Sequence, residues 1–220
     1  MVQIKDIDEK NSSPAQIHRL EALCDGVFSI IITLLVIEIH RPSMEVGHLA
    51  EELIKEWPSY LAYAVAFLYV GVVWLNHHYM YERVLSVSPT LNWLNLFILA
   101  TVALIPFPTG VLSGAYTNGN LADQKSAVVL YALIATLMSA AWLPMFAYLY
   151  RNPQLLKADT PSNMFAIQVR RPLIGMFLYA LAGVLGWTLH PDIAVAIFVF
   201  MVIYYAWTSQ GISNKAQRRN

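Results

Sequence analysis

Residues 20–39 read LEALCDGVFSIIITLLVIEI, and this stretch decides the fold class of the chain. About 20 mostly apolar residues are enough for a helix to cross the hydrocarbon core of a bilayer. The segment before it, residues 1–18, is polar and mixed in charge, and no small-residue cleavage site follows a short apolar core. We therefore expect no cleavable signal peptide, and residues 20–39 are predicted to remain as a transmembrane helix.

Five further apolar segments of similar length follow. They span about residues 57–79, 91–112, 127–150 (with Pro144 as an expected kink), 172–189 and 193–207. Of the 220 residues, 57% are hydrophobic and 13% charged, whereas soluble domains have roughly 45–50% apolar and about 25% charged residues. A soluble fold could not cover so much apolar surface. The sequence predicts an all-α polytopic membrane protein with six transmembrane helices, organised as one membrane domain (19–210) between two polar tails (1–18 and 211–220).

The distribution of basic residues predicts the orientation of the chain. Eleven of the 14 Lys and Arg residues lie in the segments that six crossings would place on the same side as both termini. The three others are Arg41, Lys55 and Lys125. Because basic residues concentrate on the cytoplasmic side of membrane proteins, both termini are expected to be cytoplasmic.

The first loop on the opposite side is acidic. Its acidic residues are Glu45, Glu51, Glu52 and Glu56. A mildly negative entrance would favour cations, and the alternative is a solvated amphipathic loop helix.

Asp25 is the clearest ionisable residue inside a predicted span. Arg19 lies six positions away, about 9 Å along a helix, which is too far for a pair on the same helix. The second span ends and the third begins on the side where Asp25 lies, so their polar groups reach a similar depth. These groups are Trp74, Asn76, His77, His78, Asn92, Trp93 and Asn95. We expect a hydrogen-bonded cluster, since an unpaired carboxylate in lipid costs several kcal/mol. A structural role and a proton relay are both open, although no chain of acids continues across the membrane.

The residues that bind metals or perform catalysis are sparse. Cys24 is the only cysteine, so no CxxC zinc site exists. His77 and His78 are adjacent and would point about 100° apart on a helix, so their rings do not converge on one ion. Nothing resembles a nucleophile–base pair or a metal triad, and the net charge of zero suggests no nucleic-acid partner. We expect no metal, no cofactor and no enzymatic activity.

Ile30, Leu34 and Ile37 follow i, i+4, i+7 spacing and share one stripe of the first helix, with Thr33 beside it. Such a stripe on a membrane helix usually faces lipid or packs against another helix.

Several motifs carry a resemblance to a known family. Residues 19–28, RLEALCDGVF, resemble the Arg-x-x-x-Phe-Ser-Asp signature of transmembrane protein 175 channels, and residues 32–39, ITLLVIEI, resemble the first helix of that family. Residues 74–78, WLNHH, are similar to its second helix, and Asn95 with residues 106–109, PFPT, to its third. The chain departs from the signature at Leu23, where the family has Phe, and at Cys24, where it has Ser. A thiol is a weaker hydrogen-bonding group than a hydroxyl, so the cluster is expected to be held more loosely.

The resemblance implies a fold and a function. Bacterial members of the family are homotetramers with six helices per subunit, in which the first helix of each subunit lines a central pore for K⁺. The constriction would then consist of Ile30, Leu34 and Ile37, with Thr33 as a polar layer. The network at the inner end would consist of Arg19, Cys24, Asp25, Trp74, Asn76, His77 and Asn95. The sequence lacks a TVGYG-type loop, so no carbonyl-lined filter of the usual kind is expected. We expect passive potassium conduction across the cell membrane; the alternatives are a secondary transporter and a non-conducting structural membrane protein.

Overall fold

The computed structural model describes residues 3–42, 46–117 and 119–209, with side chains from residue 15 onward. Within these ranges the chain forms nine α-helices. They are α1 (Gln3–Leu34), α2 (Leu49–Lys55), α3 (Trp57–Tyr81), α4 (Pro89–Ala103), α5 (Pro106–Thr117), α6 (Leu121–Arg151), α7 (Met164–Gln168), α8 (Arg170–Thr188) and α9 (Pro191–Thr208). One turn of 3-10 helix, Leu35–Glu38, extends α1.

Six helical stretches are long and apolar enough to cross a membrane. They are Ala15–Glu38, Trp57–Tyr81, Pro89–Thr117, Leu121–Arg151, Met164–Thr188 and Pro191–Thr208. The predicted all-α fold with six spans is confirmed. Six crossings return the chain to its starting side, so the beginning of α1 and the end of α9 lie on one side, called here the terminal side.

Two spans begin earlier than hydropathy predicts. The first span begins at Ala15, before the predicted start at 20, and helix α1 continues back to Gln3 through the segment 1–18 that is predicted to be a polar tail. The fifth span begins at Met164, eight residues before the predicted start at 172. Arg170 and Arg171 lower the local hydropathy, but α8 begins at Arg170 directly after α7, so the two helices form one span. The predicted second tail, residues 211–220, lies outside the described residues.

The third span is not one helix. α4 ends at Ala103 and α5 begins at Pro106. A proline has no backbone N–H to donate and its ring clashes with the preceding turn of a helix, so a new helix begins where the proline is tolerated, in a first turn. α6, in contrast, continues as one helix through Pro144.

α6 is the central helix of the bundle and packs against α4, α5, α8 and α9. Small residues allow α6 and α8 to approach each other closely. A Cβ placed on Gly183 would lie 3.0 Å from the Ala132 Cβ, and one on Gly186 would lie 2.8 Å from Val128. Close contact between small residues is the usual source of stability between transmembrane helices, because lipid supplies no hydrophobic force to join them.

α1 lies at the edge of the bundle. It contacts α3 and α4, and only 22% of its most apolar window is buried, compared with 56% for α6. Most of the surface of α1 is therefore available to lipid or to another copy of the chain.

Candidate functional site

One face of α1 attaches it to the bundle. Cys24, Phe28, Ile31 and Leu35 are buried, with 2% or less of their surface exposed. Their spacing of four, three and four residues keeps them on one side of the helix. This side packs against α3 and α4, and it fixes the rotation of α1 about its own axis.

The opposite face of α1 projects away from the bundle. Ile30 is 59% exposed, Leu34 42% and Ile37 72%. Thr33 is also exposed, and its hydroxyl donates to the Ile30 carbonyl at 2.8 Å. At about 100° per residue, Thr33 lies opposite the buried row, with Ile30 and Ile37 beside it and Leu34 at the flank. Ser29 and Gly26 are exposed on the same face, so this exposed face of α1 carries small and hydroxyl-bearing residues.

Behind this face, three buried side chains form a hydrogen-bonded chain between α1, α3 and α4. Asn95 Oδ1 lies 2.7 Å from His77 Nε2, and Asn95 Nδ2 donates to Cys24 Sγ at 3.2 Å. Because the amide oxygen can only accept, His77 donates from Nε2. The three residues are at most 3% exposed. Their polar groups therefore satisfy one another away from water.

Asp25 has a separate partner. The indole Nε1 of Trp74 donates to Asp25 Oδ1 at 2.8 Å, at an exposed position. This bond gives α1 a second attachment to α3, next to the one through Cys24, Asn95 and His77.

Two of the expected members of the network lie elsewhere. Arg19 is exposed on α1, and no other described side chain bonds to it. Asn76 points to the other side of α3, where its Oδ1 accepts from Arg171 Nη1 at 2.9 Å. Asn76 and His77 are neighbours in sequence and therefore face directions about 100° apart. His78 is exposed and lies 3.7 Å from Glu82.

A second set of contacts holds the far end of α1 and was not anticipated from the sequence. Glu38, at the end of the 3-10 turn, packs directly on Gly110 of α5, where an added Cβ would overlap its carboxylate. One turn further along α5, a Cβ on Gly114 would lie 3.1 Å from the His40 ring. The two glycines, four residues apart, form a groove that receives the chain leaving α1. The signal in the sequence was this small-xxx-small spacing.

The described acids of the first outer loop have different surroundings. Glu56 is only 8% exposed, and its Oε2 accepts from Ser59 Oγ at 3.1 Å and from Thr117 Oγ1 at 3.5 Å. Ser59 also lies 3.5 Å from His40 Nδ1. Glu56 therefore fixes the start of α3 and does not face the entrance. Glu51 is exposed on α2, and Glu45 lies outside the described residues.

Among the described side chains, no group of three or more His, Cys, Asp or Glu residues lies close enough together to hold a metal ion.

The fold and this site define a multi-pass α-helical membrane protein whose first span presents a partly polar face away from its own bundle. The chain belongs to the TMEM175 family of ion channels, and it is not an enzyme. The family described as "Endosomal/lysosomal potassium channel TMEM175" matches residues 19–106, which include every predicted site residue.

Two of the relatives align with nearly the whole length of the chain, and a third aligns with less than half of it. It is 35% identical over 192 residues to a potassium channel of Streptomyces collinus, covering 86% of this chain and 91% of that protein. The crystal structure of a lysosomal potassium-selective channel TMEM175 homolog from Chamaesiphon minutus is 28% identical, with a TM-score of 0.76, and the match covers 89% of this chain and 99% of that one. The endosomal/lysosomal proton channel TMEM175 of Gallus gallus is 34% identical over an alignment of 104 residues, and the match covers 43% of this chain and 21% of that protein.

Proposed function

We propose that the chain is one subunit of a homotetrameric potassium channel of the cell membrane, with both termini cytoplasmic and with α1 lining the pore. The observation that carries the proposal is the free face of α1. Ser29 and Thr33 place hydroxyls there, where a pore would expose them to water and ions. Membership of an ion-channel family and relatives named potassium channels support it.

In this proposal the aliphatic residues of the free face form the gate. Ile30, Leu34 and Ile37, repeated by the symmetry of the tetramer, would narrow the pore at three levels. Isoleucine and leucine offer no oxygen to replace the hydration water of an ion. Such a constriction closes by excluding water and opens by becoming wet, so a small rotation or dilation of α1 is enough to switch it.

Thr33 would favour cations in the same pore. Its hydroxyl hydrogen is occupied, because it donates to the Ile30 carbonyl. The lone pairs of Oγ1 therefore remain available on the exposed side of α1. A ring of such oxygens presents partial negative charge to an ion on the axis.

The bonds around Asn95 and Asp25 would act as positioning contacts. They join α1 to α3 and α4 through side chains that are mostly buried, and they end at Asn95 without continuing across the bundle. A proton relay needs a continuous series of groups that exchange protons. These bonds are therefore assigned to holding the rotation of α1.

The direct test is ion flux into liposomes that contain the purified protein, compared with empty vesicles. We expect passive K⁺ flux down its gradient that exceeds Na⁺ flux. Saturable flux that depends on a counter-ion would indicate a transporter. No flux of any ion from a correctly assembled tetramer would refute the channel proposal.

The gate is tested by Ile30→Asn, which places a polar group in the constriction and should increase K⁺ flux severalfold by admitting water. Ile203→Asn is the matched control, because Ile203 of α9 is 58% exposed and Ile30 is 59% exposed. The control should leave flux unchanged. If Ile30→Asn, expressed as a tetramer, conducts no better than the original protein, the gate does not lie at Ile30.

A further inference from the structure

A cavity of about 60 Å³ lies inside the bundle on the terminal side, between α3, α6, α8 and α9. By volume alone it has room for roughly four water molecules. Its polar lining includes Tyr69, Asn76, Ser139, Arg171 and Tyr205. The proposed pore does not use these residues, since they lie on the side of α3 that faces away from α1.

Arg171 brings a positive charge to this cavity, and among the described residues both of its hydrogen-bond acceptors are neutral. Its Nη1 donates to Asn76 Oδ1 at 2.9 Å, and its Nη2 donates to the Tyr205 carbonyl at 3.2 Å. Arg171 Nε is buried and has no hydrogen-bond partner among the described residues. Within the same described part of the chain, no carboxylate pairs with this guanidinium.

The cavity as a whole has a surplus of donors. A guanidinium has five donors and no acceptor. Leaving a buried guanidinium donor unpaired is costly. An anion that accepts from Arg171 Nε would remove that cost.

The position of the cavity favours a phosphate. Arg171 is the second residue of α8, Asn76 lies five residues before the end of α3, and Tyr205 lies three residues before the end of α9. At 1.5 Å per residue these groups are within about 8 Å of the helix ends, close to the depth of lipid headgroups. Arg170, the preceding residue, is exposed and adds a second positive charge at the start of α8. Basic pockets between transmembrane helices bind phosphate-bearing headgroups.

We propose that this cavity binds a phosphate group through Arg171, supplied by an anionic phospholipid or by a soluble phosphate. The bound anion supplies the counter-charge that the described residues lack. It also joins α8 to α3 and α9, the helices to which Arg171 already donates. The proposal is independent of what the channel conducts.

The test measures the melting temperature of the purified protein in a non-ionic detergent and compares the effects of three additions. These are phosphatidylglycerol, a galactolipid that has no phosphate, and sodium phosphate against sodium chloride at equal ionic strength. At a concentration about 100 times Kd, a phosphate-bearing ligand should raise the melting temperature by roughly 5 °C or more. The galactolipid should not. A rise with phosphatidylglycerol alone identifies the lipid as the source, and a rise with sodium phosphate identifies the soluble ion.

Three variants separate the cavity from general effects of lipid. Arg171→Gln removes the charge and should abolish the rise, whereas Arg170→Gln, at the exposed neighbour, should keep most of it. Asn76→Asp has nearly the same shape and places a carboxylate beside Arg171, so it should fold and also lose the rise. This variant decides the question if Arg171→Gln does not fold. The proposal is overturned if neither phosphate-bearing addition stabilises the original protein, or if the rise persists in Asn76→Asp.

Discussion

Replacement of Asn95 by leucine tests whether the buried bonds between α1, α3 and α4 hold the first span in place. Leucine is close in size to asparagine, so the packing of this fully buried position changes little. The substitution leaves the His77 Nε2 donor without its 2.7 Å partner and the Cys24 thiol without its 3.2 Å partner. An unsatisfied buried donor costs about 1–3 kcal/mol, whereas hydrogen bonds between transmembrane helices average about 0.6 kcal/mol. We therefore expect a loss of about 2 kcal/mol.

For a chain of this length, about 2 kcal/mol corresponds to a fall of roughly 4–8 °C in melting temperature. The measurement is thermal unfolding in detergent, followed by intrinsic fluorescence. Asn92→Leu is the control, because Asn92 is exposed on the same helix and its replacement should change little. A double variant that also replaces His77 by leucine removes both partners, so the two losses should be less than additive by about 1 kcal/mol. If Asn95→Leu melts within about 1 °C of the original protein, or if the two losses simply add, these bonds do not hold α1.

Gly186→Ala should destabilise the protein, because the added Cβ would lie 2.8 Å from the Ala194 Cβ and from a Val128 methyl group, neither of which can swing away. Gly71→Ala, with nothing within 4 Å of the new Cβ, should be neutral or slightly stabilising. Thermal unfolding compares the two variants, and equal melting temperatures would contradict the close contact of α6, α8 and α9. Cys24 is 1% exposed, so its thiol should react slowly with a maleimide in the folded protein. In Asn95→Leu the labelling should be at least several times faster. Rapid labelling of the original protein would show that this face of α1 is not buried.

Hydropathy was sufficient to predict the number of spans, because each apolar stretch must be covered by lipid regardless of its packing. It did not place the ends of those spans. Arg171 reads as part of a polar loop, yet it lies within the fifth span because Asn76 and the Tyr205 carbonyl accept its hydrogen bonds. The break before Pro106 was also missed, since apolar residues continue on both sides of it.

The sequence predicts which residues of the site lie at the same depth in the membrane, and it predicts contacts only where that depth is sufficient to determine them. The even number of crossings places Trp74 and Asn95 at the level of Asp25 and Cys24, and the structure brings these residues together in two groups. Depth does not determine rotation about a helix axis. Asn76 therefore faces away from these groups, although it is at the same level. Which face of α1 would be free required the structure, because both its buried and its exposed rows are aliphatic.

The attachment of α1 at two places restricts how this span can move. Near the terminal side it is tied to its neighbours through Asn95 and Trp74, and at the other end Glu38 and His40 sit against Gly110 and Gly114. Because α1 is held near both ends, it cannot move along its own axis without breaking the contacts at one of them. The part of α1 between these two sets of contacts, which includes Ile30 and Thr33, can twist or bend while both sets are kept. The support near the terminal side is shared by α3 and α4, and the one at the other end belongs mainly to α5. The interruption before Pro106 therefore falls between the parts of the third span that contact the two ends of α1.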